Sequence, residues 1–150
     1  MAIEMSDEIL IPAPRERVYA ALLDPAVLKA SIPGCEAIEH TSDTTLDATV
    51  VLRIGPVKAR FRGTVTLDPE GAPARFGLTG EGSGGVAGFA RGGAEVTLAE
   101  EEGGTRLAYR ASADVGGKLA QLGNRLVGGT ARKLSAQFFE NFAAAVTAEG

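Results

Sequence analysis

Residues 45–67, TLDATVVLRIGPVKARFRGTVTL, constrain the fold more than any other stretch. Leu46, Ala48, Val50, Leu52 and Ile54 alternate with Asp47, Thr49 and Arg53. After Gly55-Pro56, Val57, Ala59, Phe61, Gly63, Val65 and Leu67 alternate with Lys58, Arg60, Arg62, Thr64 and Thr66. A period of two marks strands with one buried and one solvated face, and Gly-Pro between two such runs marks an antiparallel hairpin. ARFGLTGEG, GGAEVTLAE and TRLAYRASADV continue the pattern, with turns at Glu70-Gly71 and Gly103-Gly104. Residues 35–41 alternate less regularly and are a further strand candidate.

The flanks have other periods. Ile3 to Ile11 reads as a first strand. In IPAPRERVYAALLDP, Pro14 suits a first helical turn, Val18, Ala21 and Leu22 share a face, and Asp24-Pro25 stops the helix. PAVLKASIPG reads as a second short helix ended by Pro33-Gly34. Near the C-terminus Leu119, Leu122, Leu126, Thr130, Leu134, Phe138 and Phe142 form one helical stripe. The order is strand, two short helices, about six strands and one long helix. A meander of that length curls, and the long helix covers its concave face. The expected class is α+β, in one domain over residues 1–150.

The long helix contains an anomaly. DVGGKLAQLGNRLVGGTARKL, residues 114–134, places Gly123, Gly128 and Gly129 among the leucines. Each interior glycine costs a helix roughly 1 kcal/mol relative to alanine. The inward strand positions include Leu46, Val50, Leu52, Phe61, Val65 and Tyr109, but also Ala48, Ala59, Gly63, Ala111 and Ala113. Tryptophan is absent and aromatics make up 5%, so few bulky side chains can fill the space. Small strand residues opposite Ala120 and Gly123 leave a void, and an empty void costs roughly 24 cal/mol per Å³. Two arrangements fit: an apolar pocket that a ligand fills, or close packing of helix on sheet with a kink at Gly128-Gly129. A pocket would be lined by Phe61, Gly63, Phe76, Tyr109, Ala111, Leu119, Leu122, Gly123 and Leu126. Phe89, in the adjoining glycine-rich loop, is either a gate or a hairpin staple.

Other chemistries have little support. GEGSGGVAGFARGG, residues 80–93, lacks the Gly-Lys-Ser/Thr ending and following helix of a phosphate loop. It reads as a glycine-rich hairpin with a bulged strand. One cysteine, Cys35, and one histidine, His40, are too few for a usual zinc site. Five residues apart on a strand, they fall on opposite faces, which argues against a nucleophilic pair. Glu100, Glu101 and Glu102 read as a solvated hairpin tip, and no carboxylate pair shares a buried site. The expectation is a non-enzymatic protein with no metal and no cofactor.

Charge bears on partners. The net charge of -4 argues against nucleic acid. Residues 103–136 hold Arg106, Arg110, Lys118, Arg125, Arg132 and Lys133 against Asp114 alone. That face is either a solvated helix surface or a docking face for an acidic protein or an anionic membrane. Phe138, Phe139 and Phe142 span too wide an arc for one stripe, which leaves one of them for a partner or lipid. With one cysteine, no leader-like N-terminus and no run approaching ~18 apolar residues, the expected location is the cytoplasm, with peripheral contact at the inner membrane face as an extension.

Four motifs, IPGCEAIE, IGPVKARFRGTV, GSGGVAGFARGG and GGTRLAYRASADVGGKLAQLGNRLVGG, resemble the family of the CoxG subunit of carbon monoxide dehydrogenase (CoxG-like proteins). That family belongs to the START and birch-pollen-allergen-like superfamily (SRPBCC). The resemblance implies a helix-grip fold, a curved antiparallel sheet of about seven strands around a long C-terminal helix, matching the topology read above. It also implies a carrier for a lipophilic small molecule, a quinone or lipid, serving a molybdenum hydroxylase of the carbon monoxide dehydrogenase type. The alternative it implies is an accessory or membrane-recruitment protein for such an oxidoreductase, with no ligand of its own. One departure is Tyr19, where relatives often carry Trp.

Overall fold

Each alternating segment forms a strand. The structure, a computed structural model, describes residues 1–148; residues 149 and 150, the end of the expected domain, lie outside the described residues. Seven strands, β1 (Ala2–Ile11), β2 (Cys35–Ser42), β3 (Thr45–Ile54), β4 (Val57–Asp68), β5 (Arg75–Ser83), β6 (Phe89–Glu101) and β7 (Gly104–Gly116), form one sheet. Their order is β1-β7-β6-β5-β4-β3-β2, with every pair antiparallel. β1 and β2 therefore lie on opposite edges, and α1 (Arg15–Leu22) and α2 (Pro25–Ser31) carry the chain between them. The result is a curved sheet gripping a C-terminal helix, as expected.

The short helices are set by local chemistry. Pro14, extended at ψ 151°, precedes α1, and Glu16 sits in the first turn where the helix dipole favours an acid. Asp24 caps α2 by accepting from the Ala26 amide at 2.9 Å, and Pro25 follows where no amide is needed. The Arg17 guanidinium donates to the Val146 carbonyl at 2.9 Å and Asn141 Nδ2 to the Ser31 carbonyl at 3.2 Å. Both bonds tie these helices to the last turns of the C-terminal helix.

The long helix differs from the sequence expectation. It is two helices, α3 (Lys118–Gln121) and α4 (Asn124–Ala148), broken at Gly123. Gly123 has φ +88°, a left-handed conformation that costs an L-residue its Cβ–carbonyl clearance. It is thus a hinge between helices, not an interior glycine. Helical bonding resumes with the Val127 amide on the Gly123 carbonyl at 3.1 Å. No break occurs at Gly128-Gly129, where α4 runs through. A Cβ on Gly128 would meet the Arg132 guanidinium at 3.4 Å, and one on Gly129 would meet nothing within 4 Å. The break also shifts the stripe. Val127 is buried, whereas Leu126 is 39% exposed, so the inward row of α4 runs Val127, Ala131, Leu134, Phe138, Phe142.

Two smaller corrections concern the hairpins. The β5–β6 ladder runs from Arg75 opposite Thr97 to Ser83 opposite Phe89 without a bulge, and a short 3₁₀ turn, Gly85–Ala87, lies between the strands. Glu100 and Glu101 belong to β6 and are paired, Glu100 with Arg15 at 2.8 Å and Glu101 with Arg106 at 3.0 Å.

Candidate functional site

The register sets which side chains face the helix. Leu46, Ala48 and Val50 stand opposite Val65, Gly63 and Phe61. The same face continues through Gly80 and Gly82 on β5, Gly92 and Ala94 on β6, and Ala113 and Ala111 on β7. The middle of the concave face is therefore a band of glycine and alanine crossing five strands.

The buried core divides on either side of that band. One cluster gathers Leu67, Phe76, Val96, Leu98 and Leu107 with Val18, Val27, Phe142 and Val146, beneath α1, α2 and the end of α4. The other gathers Ile3, Ile54, Val115, Leu119 and Val127, with Phe61 and Leu122 packed against it, beneath α3 and the start of α4. Between them Ala48, Gly63, Gly80, Gly82, Gly92, Ala94, Ala111 and Ala113 stay only half-buried although they face α4. Ala131, Leu134 and Phe138 of α4 are likewise half-buried. A fully packed interior would cover these small residues first. They instead stay partly accessible on the face toward α4.

Aromatic rings pack beside this band. Tyr109 stacks on Phe139 at 5.3 Å, Phe139 meets Phe138 edge-on at 5.0 Å, and Phe138 stacks on Phe142 at 5.7 Å. All three phenylalanines thus have ring partners inside the molecule, and Phe138 and Phe139 stay half-buried. Tyr19 packs edge-on against Phe76 at 5.2 Å.

The sequence-derived lining falls in three places. Gly63 and Ala111 lie in the small-residue band. Phe76 is buried in the first cluster with Tyr109 against it, whereas Phe61, Leu119 and Leu122 belong to the second. Gly123, Leu126 and Phe89 sit at the end of the molecule beside the second cluster. Phe89 covers Gly116 and has the Arg91 guanidinium 5.8 Å above its ring. Sequence reasoning missed Gly80, Gly82, Gly92 and Ala94. Their signal was present in GLTGEG and ARGGAE, but runs of glycine obscure which parity is inward.

His40 Nε2 lies 2.7 Å from the Leu23 carbonyl and Nδ1 3.2 Å from that of Ser42. Cys35 Sγ reaches the Ala37 carbonyl at 3.5 Å, and burial pushes its thiol above the usual range. The Arg60 and Arg106 guanidinium groups hold the carboxyls of Glu36 and Glu101 below theirs. Among the described residues no cluster of three or more His, Cys, Asp or Glu side chains could hold a metal ion. Nor is any described helix long and apolar enough to cross a membrane. The basic 103–136 stretch is not one face: Arg106 pairs with Glu101 at the β6–β7 turn, whereas Lys118 and Arg125 lie at the opposite end.

A curved antiparallel sheet gripping a C-terminal helix defines a START-like fold. Solved structures agree: a START superfamily protein from Mycobacterium smegmatis has a TM-score of 0.71 at 12% identity, covering 98% of this chain and 99% of that one. The Zhui aromatase/cyclase from Streptomyces has a TM-score of 0.71 at 11% identity, covering 98% and 94%. A conserved protein from Geobacillus kaustophilus has a TM-score of 0.85 at 28% identity, covering 98% and 95%. No curated protein matches in sequence. The family model for the CoxG subunit of carbon monoxide dehydrogenase matches residues 8–147, and the chain belongs to that family.

Proposed function

We propose that this chain is a non-enzymatic carrier of a lipophilic small molecule, a quinone or a lipid, and that it serves a molybdenum hydroxylase of the carbon monoxide dehydrogenase type. The observation that carries the reading is the divided core, two buried clusters separated by a half-buried band of glycine and alanine. An apolar guest in that space removes the cost of the void and gains about 25 cal/mol per Å² of apolar surface it buries. Phe61, Gly63, Phe76, Tyr109, Ala111, Leu119 and Leu122 line it, joined by Gly80, Gly82, Gly92 and Ala94. Phe89, Gly123 and Leu126 frame the end by which a ligand enters. The Tyr109 hydroxyl supplies one hydrogen bond to a ring carbonyl. The apolar walls favour a binding protein over an enzyme, and family membership points to the oxidoreductase partner. The working location is the cytoplasmic side of the membrane.

Gly80→Leu tests the reading better than a change at Gly123, whose φ of +88° strains any side chain. A Cβ on Gly80 would meet the Thr64 carbonyl at 3.5 Å and Val65 at 3.6 Å, which are ordinary contacts, so a larger side chain extends into the gap. Native mass spectrometry of the parent should show co-purified lipid, and a quinone analogue should bind it saturably. Gly80→Leu should abolish both and keep or raise the melting temperature. Equal quinone binding by parent and variant would place the ligand elsewhere. A parent that binds neither, yet forms a stable complex with an oxidoreductase partner, would favour the ligand-free accessory role.

A further inference from the structure

We propose that His40 is a protonation-dependent latch on an edge of the sheet. With its imidazole charged, the ring ties β2 both to the end of α1 and to the irregular last residues of β2 itself. With the ring neutral, one of those two bonds is lost. The latch does not depend on any cargo, and it stands on the geometry around one side chain.

Both ring nitrogens face carbonyl oxygens: Nε2 that of Leu23 at 2.7 Å and Nδ1 that of Ser42 at 3.2 Å. A carbonyl only accepts, so each contact needs a proton on the ring. The neutral ring carries one N–H. Given to the shorter contact, it leaves the lone pair of Nδ1 pointed at the Ser42 oxygen. The imidazolium carries two N–H groups and satisfies both carbonyls. Protonation thus replaces a repulsive contact with a charge-assisted hydrogen bond.

Both acceptors sit where the chain needs fastening. Leu23 is the C-cap of α1, where the last carbonyls of a helix lack intrahelical partners and the dipole favours a cation. Ser42 ends β2, just past a register shift between His40 and Ser42 that interrupts the ladder with β3. β2 is the last strand of the sheet. The ring therefore fastens an edge strand to the two helices that hold the end of α4 through Arg17 and Ser31.

The charges on the surrounding elements fit this role. Asp24 follows Leu23 and Asp43 follows Ser42, so an acid adjoins each acceptor in sequence, and negative charge beside either carbonyl favours the charged ring. On β3, His40 stands opposite buried Leu46, whereas Glu39 and Asp47 pair on the other face of the sheet. The charges of α1, Arg15, Glu16 and Arg17, lie in its first turn, at the opposite end from Leu23, and Arg15 is taken by Glu100. Lys29 of α2 bears on the Cys35 thiol, at the start of β2.

The bond to Ser42 is present while the ring is charged and is lost as pH rises through the histidine range, about pH 6–7. His40 is the only histidine in the chain, so a comparison of the parent with His40→Gln, which is neutral at every pH, isolates the ring. The melting temperature of the parent minus that of the variant should be larger by about 2–4 °C at about pH 5.5 than at about pH 8. Carboxylates stay ionised over that window, and the terminal amine, which titrates near its upper end, is common to both proteins. By NMR of the parent, the Ser42 carbonyl carbon should shift together with the His40 ring signals, whereas the Leu23 carbonyl, bonded in both states, should move little. The proposal is overturned if the stability difference is equal at the two pH values or larger at the higher one. It is equally overturned if the Ser42 carbonyl stays still while the ring titrates. His40 is exposed, so the variant should fold; if it does not, the Ser42 carbonyl of the parent decides alone.

Discussion

Gly123 and Gly129 lie on the same C-terminal segment and do opposite things. Gly123 holds φ +88° at the turn between α3 and α4, where an L side chain strains the backbone. Gly129 is within α4, and a Cβ there would touch nothing within 4 Å. Urea denaturation should therefore find Gly123→Ala destabilised by about 1–2 kcal/mol and Gly129→Ala stabilised by about 0.5–1 kcal/mol. Matching signs would contradict the placement of the helix break. Thr105 is a second informative residue. Fully buried, its hydroxyl donates to the Ala13 carbonyl at 2.7 Å and fastens the end of β1 to β7. Thr105→Val leaves that carbonyl without its donor and should cost about 1–3 kcal/mol in the same measurement.

Among the elements, α4 shows how one helix serves two environments. Its C-terminal half is clamped by α1, α2 and the first core cluster, with Phe142 at 0% exposure. Phe142→Ala should cost about 3–5 kcal/mol by calorimetry or denaturation, whereas Leu126→Ala at the exposed start should cost under about 1 kcal/mol. Equal costs would mean that the two ends are packed alike. The strands carry a pH dependence of known sign. Glu36 and Glu101 are held below the usual carboxylate range by Arg60 and Arg106. Such pairs stabilise the fold above the unfolded value, about pH 4.3, and the contribution is lost as pH falls through the folded values. The melting temperature should drop on acidification through that window, and Glu101→Gln should flatten part of the drop. Both carboxyls are exposed, so the effect is small.

The whole molecule is a gripped helix whose core is packed at both ends and thin in the middle. One end is tied down by Arg17, Asn141 and Thr105 and carries acidic turns. The other is built from close-stacked glycines and carries the exposed side chains of Val86, Phe89 and Leu126. This polarity follows from antiparallel topology. Alternate turns of a meander collect at opposite ends, so β3–β4 and β5–β6 lie together while β2–β3, β4–β5 and β6–β7 lie together.

Periodicity along the chain is a local property, and local properties were legible. The alternation in β3 and β4 marked a hairpin, Asp24-Pro25 marked a helix boundary, and the order of strands and helices led to the sheet that grips a helix. The small residues Gly63 and Ala111 could be assigned to the inner face because polar neighbours set their parity. Gly80, Gly82 and Gly92 could not, because a glycine has no side chain whose polarity shows which way it faces. Their position is decided by cross-strand register with Val65 and Ala113, contacts far apart in sequence. The helix break is similar. Gly123 and Gly128 are identical in sequence terms, and only the packing of α3 on β7 and of α4 on the sheet determines which one turns the chain. The division of the core into two clusters is likewise tertiary, since it depends on which side chains from five strands meet one helix.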